Sequence, residues 1–313
     1  MLREDGKHGV HMLPVGSGFS LFLPDIWKVN WNKMTFVWLR RAISIILLFG
    51  AVNICEAETI TYRGGAYSGG LLRGLPDGQG TWILKNGDMY MGNFVAGVLM
   101  EGRGIFQQPG GSLYEGALLY GIPHGYGKIQ LLDGSVYLGS FDFGIWNGDG
   151  SLIFSDGSSY RGTWRDGQYH GLGTLRLKNG YMFTGEWKMG KKHGSGKETA
   201  ILFGVTAEYR GSFYEDQRHG YGIRSWGEWK YIGEWRNGDR QGYGTTRLSN
   251  GFTYIGEYRN NRRWGQGTLF YPDGSKLVGT FENGWPWIGE HLDNGSILGT
   301  YRLGAYNREG QEH

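Results

Sequence analysis

Cysteine is almost missing from this 313-residue chain. Cys55 stands alone, so no intramolecular disulfide can form. Such scarcity is compatible with an oxidising compartment without establishing one. Charge of one sign is missing too. Residues 1–57 hold six Lys/Arg and four Asp/Glu, leaving 26 basic and 25 acidic residues for 58–313. A nearly neutral chain offers nucleic acid no general electrostatic attraction, and no nucleic-acid partner is expected. Long apolar runs are also lacking. The run Ala42 to Ile54 has 13 residues without a charge, short of the roughly 20 that a membrane-spanning helix needs. Proline numbers only 7.

Glycine, by contrast, abounds. Its 59 residues are well over twice the usual share of roughly 7%. They fall in register, which rules out a flexible-linker composition. Tyr67, Tyr90, Tyr114, Tyr137, Tyr160, Phe183, Tyr209, Tyr231, Tyr254 and Leu277 follow one another at spacings of 23, 24, 23, 23, 23, 26, 22, 23 and 23 residues. Each is followed two places on by Gly and four places on by a large apolar residue. A fixed period of this kind predicts an array of stacked supersecondary units. Aromatic content of 15%, with 13 Trp, supplies the surface to bury and argues against disorder.

The unit from Tyr160 to Met182 shows the logic. Tyr160, Gly162 and Trp164 alternate, and so do Gly171, Gly173, Leu175 and Leu177, as residues sharing one face of a strand must. Asp166-Gly167 and Asn179-Gly180 suit tight reversals with positive φ. Each unit is therefore expected to be a β-hairpin. Strand glycines recurring opposite bulky rings suggest aromatic side chains lying over bare backbone. The predicted fold is all-β, an elongated single-layer antiparallel sheet of tandem hairpins. At about 4.8 Å per strand, ten units give a length on the order of 90–100 Å. A globule of the same 256 residues after Ala57 would have a radius of gyration of about 18–20 Å.

Tyr-x-Gly-x-Trp-x-x-Gly-x-x-His-Gly-x-Gly at 160–173, with relatives at 183–196 and 231–244, resembles the MORN (membrane occupation and recognition nexus) repeat. The resemblance spans about 67–289. The 90–113 unit carries an extra residue, and Asp216 and Asn261 replace the turn glycine, both types that tolerate left-handed backbone. The resemblance implies interaction roles: positioning partner domains, dimerising, or associating with membranes. Some relatives attach such an array to a kinase or methyltransferase domain; none is expected in these 313 residues.

Several constellations resolve into repeat positions. His124, His170, His193 and His219 each precede a glycine of the period, but equivalent side chains two strands apart sit roughly 9–10 Å apart, too far to share one zinc. Hydrogen bonding to a turn is the expected role. Gly185 to Lys192 mimics a phosphate-binding loop but ends in Lys where Ser or Thr is required. Glu186, Glu234 and Glu257 flank the strand aromatics; a solvated salt-bridge ladder with nearby Arg is expected in preference to a glycosidase carboxylate pair. No nucleophilic triad stands out. The chain is expected to be no enzyme and to need no cofactor or metal, with an envelope-associated enzyme as the weakest alternative.

Arg40-Arg41, the apolar run 42–54 and Ala57 form the three parts of a secretory signal. Residues 1–57 are read as an extension plus signal peptide, with Met34 as a candidate true start. Residues 58–289 are the array, and 290–313 a degenerate partial repeat, cap and tail. The expected location is periplasmic or extracellular; the alternative is an anchor through 36–54. The expected function is a scaffold at a membrane or cell envelope that binds a protein or itself. Trp164, Trp187, Trp235 and Tyr258 are expected to stay partly exposed along a groove. The alternative is lipid-headgroup binding by Lys188, Lys191, Lys192, Arg210 and Arg218.

Overall fold

A computed structural model of the protein describes residues 58–308; the signal, anchor and start-site expectations lie outside them. Twenty-three strands run from β1 (Thr59–Tyr62) to β23 (Ala305–Arg308). Each strand pairs antiparallel with those before and after it in sequence. The described residues therefore form one open sheet, as the period predicts. Strand β21 (Trp285–Asp293) crosses the boundary placed at 289.

One repeat explains the rest. Strands β10 (Ser159–Arg165) and β11 (Gln168–Arg176) are joined by Asp166 and Gly167 at φ 51° and 73°, the two left-handed residues of a type I′ turn. At the positions lacking Gly, Asp216 and Asn261 adopt φ 69° and 66°. The second reversal is closed by the Gly180 N–H donating to the Leu177 carbonyl at 3.0 Å and the Leu177 N–H to the Tyr181 carbonyl at 2.8 Å.

Most hairpins then meet a problem. Between β12 (Met182–Lys188) and β13 (Lys191–Leu202), Gly185 faces Gly196 but the next residue, Glu186, faces His193. Gly194 and Ser195 are thus extra in this ladder, a bulge that strands backbone donors and acceptors. The motif answers with side chains. Glu186 accepts the Ser195 N–H at 2.9 Å, Glu234 the Tyr243 N–H at 3.0 Å, and Glu257 the Gln266 N–H at 2.9 Å. The carbonyl at the same point takes a phenol: Tyr231 donates to Glu234 O at 2.9 Å and Tyr254 to Glu257 O at 3.1 Å. The expected salt-bridge ladder is corrected accordingly, because these carboxylates cap bulges. Where the 90–113 unit has its extra residue, Gly92 faces Gly102 and Phe94 faces Leu99, and Tyr90 is only half-buried.

The core is a single row of rings on one face. Tyr67, Tyr114, Tyr137, Tyr160, Phe183, Tyr209, Tyr231, Tyr254 and Leu277 are all buried. Each ring lies over the paired strand glycines; a Cβ on Gly173 would overlap the Tyr160 phenol. Burial pushes the Tyr114 and Tyr209 phenols up to about 12.

Candidate functional site: the ring face and its lid

Trp164, Trp187, Trp235 and Tyr258 are 3–5% exposed, so the partly open aromatic stripe is corrected to a closed one. The cause is edge-to-face wedging between successive column rings. Trp164 lies 5.3 Å from Tyr137 and 5.1 Å from Tyr160, at 89° and 83°. Trp235 lies 5.3 Å from Tyr209 and 5.2 Å from Tyr231. Tyr258 repeats the pattern with Tyr231 and Tyr254. This geometry suits the ring quadrupoles and leaves the wedge residues no free face.

What the ring face presents instead is a lid over six successive hairpins, one residue in each, placed directly across from the wedge. Trp146 faces Phe141, Tyr169 faces Trp164, Lys192 faces Trp187, Arg218 faces Phe213, Arg240 faces Trp235 and Arg263 faces Tyr258. Its chemistry changes along the array. Across from Leu71, Phe94 and Leu118 the position holds the buried Pro76, Leu99 and Pro123; in the next two hairpins it is aromatic, Trp146 stacking on Tyr137 at 4.3 Å and Tyr169 on Tyr160 at 3.7 Å. From Lys192 to Arg263 it is cationic, and the next such position, across from Phe281, is Pro286. Lys192 sits over Phe183 and Phe213 at 5.6 and 5.4 Å, and Arg218 over Tyr209 and Trp235 at 5.1 and 5.6 Å. Arg240 sits over Tyr231 and Tyr258 at 5.5 and 5.1 Å, and Arg263 over Tyr254 and Phe281 at 5.6 and 5.4 Å. Each cation bridges the rings of two neighbouring repeats, within the range where ring quadrupoles attract it.

Glu198 neutralises the first two of these cations. It receives Lys192 Nζ at 3.1 Å and Arg218 Nη2 at 2.5 Å. Burial alone would raise its pKa, but Arg218 and then Lys192 overcome that and hold it below the ordinary value of 4.5. Arg240 and Arg263 form no salt bridge with a described Asp or Glu. Beside them, burial and then the charge of Arg218 hold the Arg224 guanidinium below its usual range.

The five cations expected to gather for lipid do not gather. Lys192 and Arg218 belong to the lid. Lys188 and Lys191 pair with each other across β12 and β13, one residue on from Trp187 and Lys192 and so on the opposite face. Arg210 shares that opposite face, across from Lys197, and both bind Glu208. Lys191 is held by Glu215. Arg240 and Arg263 went unnoticed in the sequence, although the 23-residue beat that places Tyr231 and Tyr254 places them as well.

Among the histidines, His124 reaches a turn carboxylate, Asp142, at 3.3 Å. Nδ1 of His124, His170, His193 and His219 is buried and makes no hydrogen bond among the described residues. No group of three or more His, Cys, Asp or Glu among the described residues could hold a metal ion. The face opposite the rings exposes Tyr126, Leu172, Tyr221 and Tyr243, each 60–70% open, at the residue between the paired glycines.

The sequence model of the MORN repeat matches residues 67–89, 114–136, 137–159, 160–180, 183–200, 209–230, 231–253 and 254–276, more than half of the chain. The chain belongs to the MORN repeat family. The unmatched 90–113 stretch is the unit with the extra residue, where the bulge leaves one residue, Met100, unpaired in place of the usual two. No curated protein matches this MORN chain in sequence. Among solved structures, the TCP domain of SAS-4 (dCPAP) of Drosophila melanogaster, in complex with a proline-rich motif of Ana2 (dSTIL), is 12% identical. That match covers 74% of this chain and 94% of that one at a TM-score of 0.17. A streptogramin B lyase is 10% identical over 80% and 93% of the two chains, TM-score 0.14. A catalytically inactive virginiamycin B lyase from Staphylococcus aureus, with quinupristin, is 9% identical over 80% and 97%, TM-score 0.11. Likenesses this weak carry no functional argument.

Proposed function

We propose that this MORN array is a non-enzymatic scaffold, exported to a membrane or cell envelope, that binds a protein partner or a second copy of itself. The observation that supports it is the lid. Among the described residues nothing layers over the sheet, and six successive hairpins carry a row of half-buried aromatic and cationic side chains, the composition that anchors protein interfaces. The carboxylates of the motif are occupied as bulge caps, which supports a binding role over acid–base chemistry. Lipid-headgroup binding is the second reading. It is weakened because Lys191 and Arg210 are already paired and lie on the face away from Lys192 and Arg218.

A photo-crosslinking aromatic residue in place of Tyr169, in the full-length protein in its own host, tests the scaffold. The expected result is an adduct with one protein species or with a second copy. Adducts with lipid alone, or none, would remove the reading. N-terminal sequencing of the mature protein tests export: a start at Glu58 is expected, and an intact 36–54 segment would favour the anchor.

A further inference from the structure

We propose that the cationic half of the lid binds an extended acidic protein segment running along the array, across the strands. The inference rests on the scaffold reading and gives its partner a chemistry.

Arg218, Arg240 and Arg263 lie on β15 (Gln217–Trp226), β17 (Asp239–Arg247) and β19 (Arg262–Phe270). They occupy equivalent register positions, each opposite a wedge ring. Two strands separate each from the next, about 9.6 Å at about 4.8 Å per strand. A peptide in the extended polyproline II conformation advances about 3.1 Å per residue with about three residues per turn. Every third side chain of such a peptide therefore points the same way and falls on the next guanidinium. Acidic residues at that spacing match the row without distorting either partner.

Charge supplies the second argument. Glu198 satisfies Lys192 and Arg218, whereas Arg240 and Arg263 have no carboxylate among the described residues. They are partly desolvated on the rings beneath them, and a partly buried cation without a counter-ion is a cost that a bound anion removes. The rings, and for Arg240 also a 2.6 Å bond from Nη2 to the Asn261 carbonyl, hold both guanidinium groups in place before any ligand arrives, so little side-chain entropy is lost on binding.

Recession is the third argument, and it decides between a protein segment and a membrane. The Lys192 and Arg218 side chains are only 16% and 22% exposed, and Arg240 and Arg263 are likewise half-buried. An extended chain can lie down into such a row, whereas a bilayer surface meets the protruding cations, which here sit on the opposite face.

The test measures binding of the full-length protein to three probes. One is a synthetic peptide with Glu at every third position in a Ser/Gly background. The second is the same peptide with Lys for each Glu, and the third is phosphatidylserine vesicles. The Glu peptide should bind at least roughly tenfold more tightly than the Lys peptide, and weaken as salt rises. The R240Q/R263Q variant should lose roughly tenfold or more, while R240K/R263K keeps most of the affinity. Circular dichroism checks that both variants fold. Should they not fold, the comparison of the two peptides and the salt dependence of the unaltered protein still decide.

Equal affinity for both peptides would overturn the proposal, as would unaltered binding by a folded R240Q/R263Q protein. Vesicle binding without peptide binding would overturn it in favour of a membrane. The crosslink at position 169 separates the two failures. A protein adduct together with indifference to the Glu peptide sinks only the acidic segment; no protein adduct sinks the scaffold as well.

Discussion

Gly173 and Tyr160 show how far a single atom matters in this sheet. The phenol lies where a Cβ on Gly173 would be, so Gly173→Ala forces the ring out of a fully buried column. We expect a loss of about 1–3 kcal/mol, the range for overpacking a core, read as a lower denaturant midpoint. Gly171, at φ 58°, is glycine for another reason: it takes the left-handed conformation at the bulge, where a Cβ would be strained. Tyr160→Phe keeps the ring and removes the bond from its hydroxyl to the Thr163 carbonyl, 3.1 Å long. The expected cost is about 1 kcal/mol. A loss above the Gly173→Ala value would mean that the hydroxyl, and not the ring over bare backbone, dominates the column.

At the scale of the hairpin, the bulge and the lid govern behaviour. Glu234→Ala leaves the Tyr243 N–H without its carboxylate acceptor, and about 1–2 kcal/mol of stability should go with it. The Glu198 clamp adds a pH dependence. Its folded pKa lies below the ordinary 4.5, so its contribution is present in full above that value and is lost as pH falls through the folded pKa. Glu198→Gln should therefore destabilise the protein at pH 7 and differ progressively less from the unaltered chain below about pH 4.5. Thermal melts at stepped pH check this, and a constant difference down to about pH 2.5, well below the ordinary carboxylate range, would contradict it.

The hairpins, their turns and the ring column were legible in the sequence, because Tyr160, Gly162, Gly173 and Asp166-Gly167 act on near neighbours and recur. The bulge caps were not. Glu234 reads as an outward strand residue until the register shift brings the Tyr243 N–H to it. Lys192 and Arg218 were visible only as members of charge clusters. Their place on the rings depends on which face each strand presents after its turn, and the periodic Arg240 and Arg263 sit in no cluster at all.

For the array as a whole, each hairpin packs only on its neighbours, so stability should distribute along the sheet and losses at distant repeats should add. Gly173→Ala combined with Glu257→Ala should cost the sum of the two within about 0.5 kcal/mol, whereas two changes in the Lys192–Glu198–Arg218 clamp should not add. The central claim is that the repeats form one open, unclosed sheet with a single-sided core. Small-angle scattering from the chain beginning at Glu58 tests it most directly. With 23 strands at about 4.8 Å each, a maximum dimension on the order of 100 Å is predicted. A monomer with a radius of gyration of about 18–20 Å, the globular value for this length, would contradict the open sheet and the lid that depends on it.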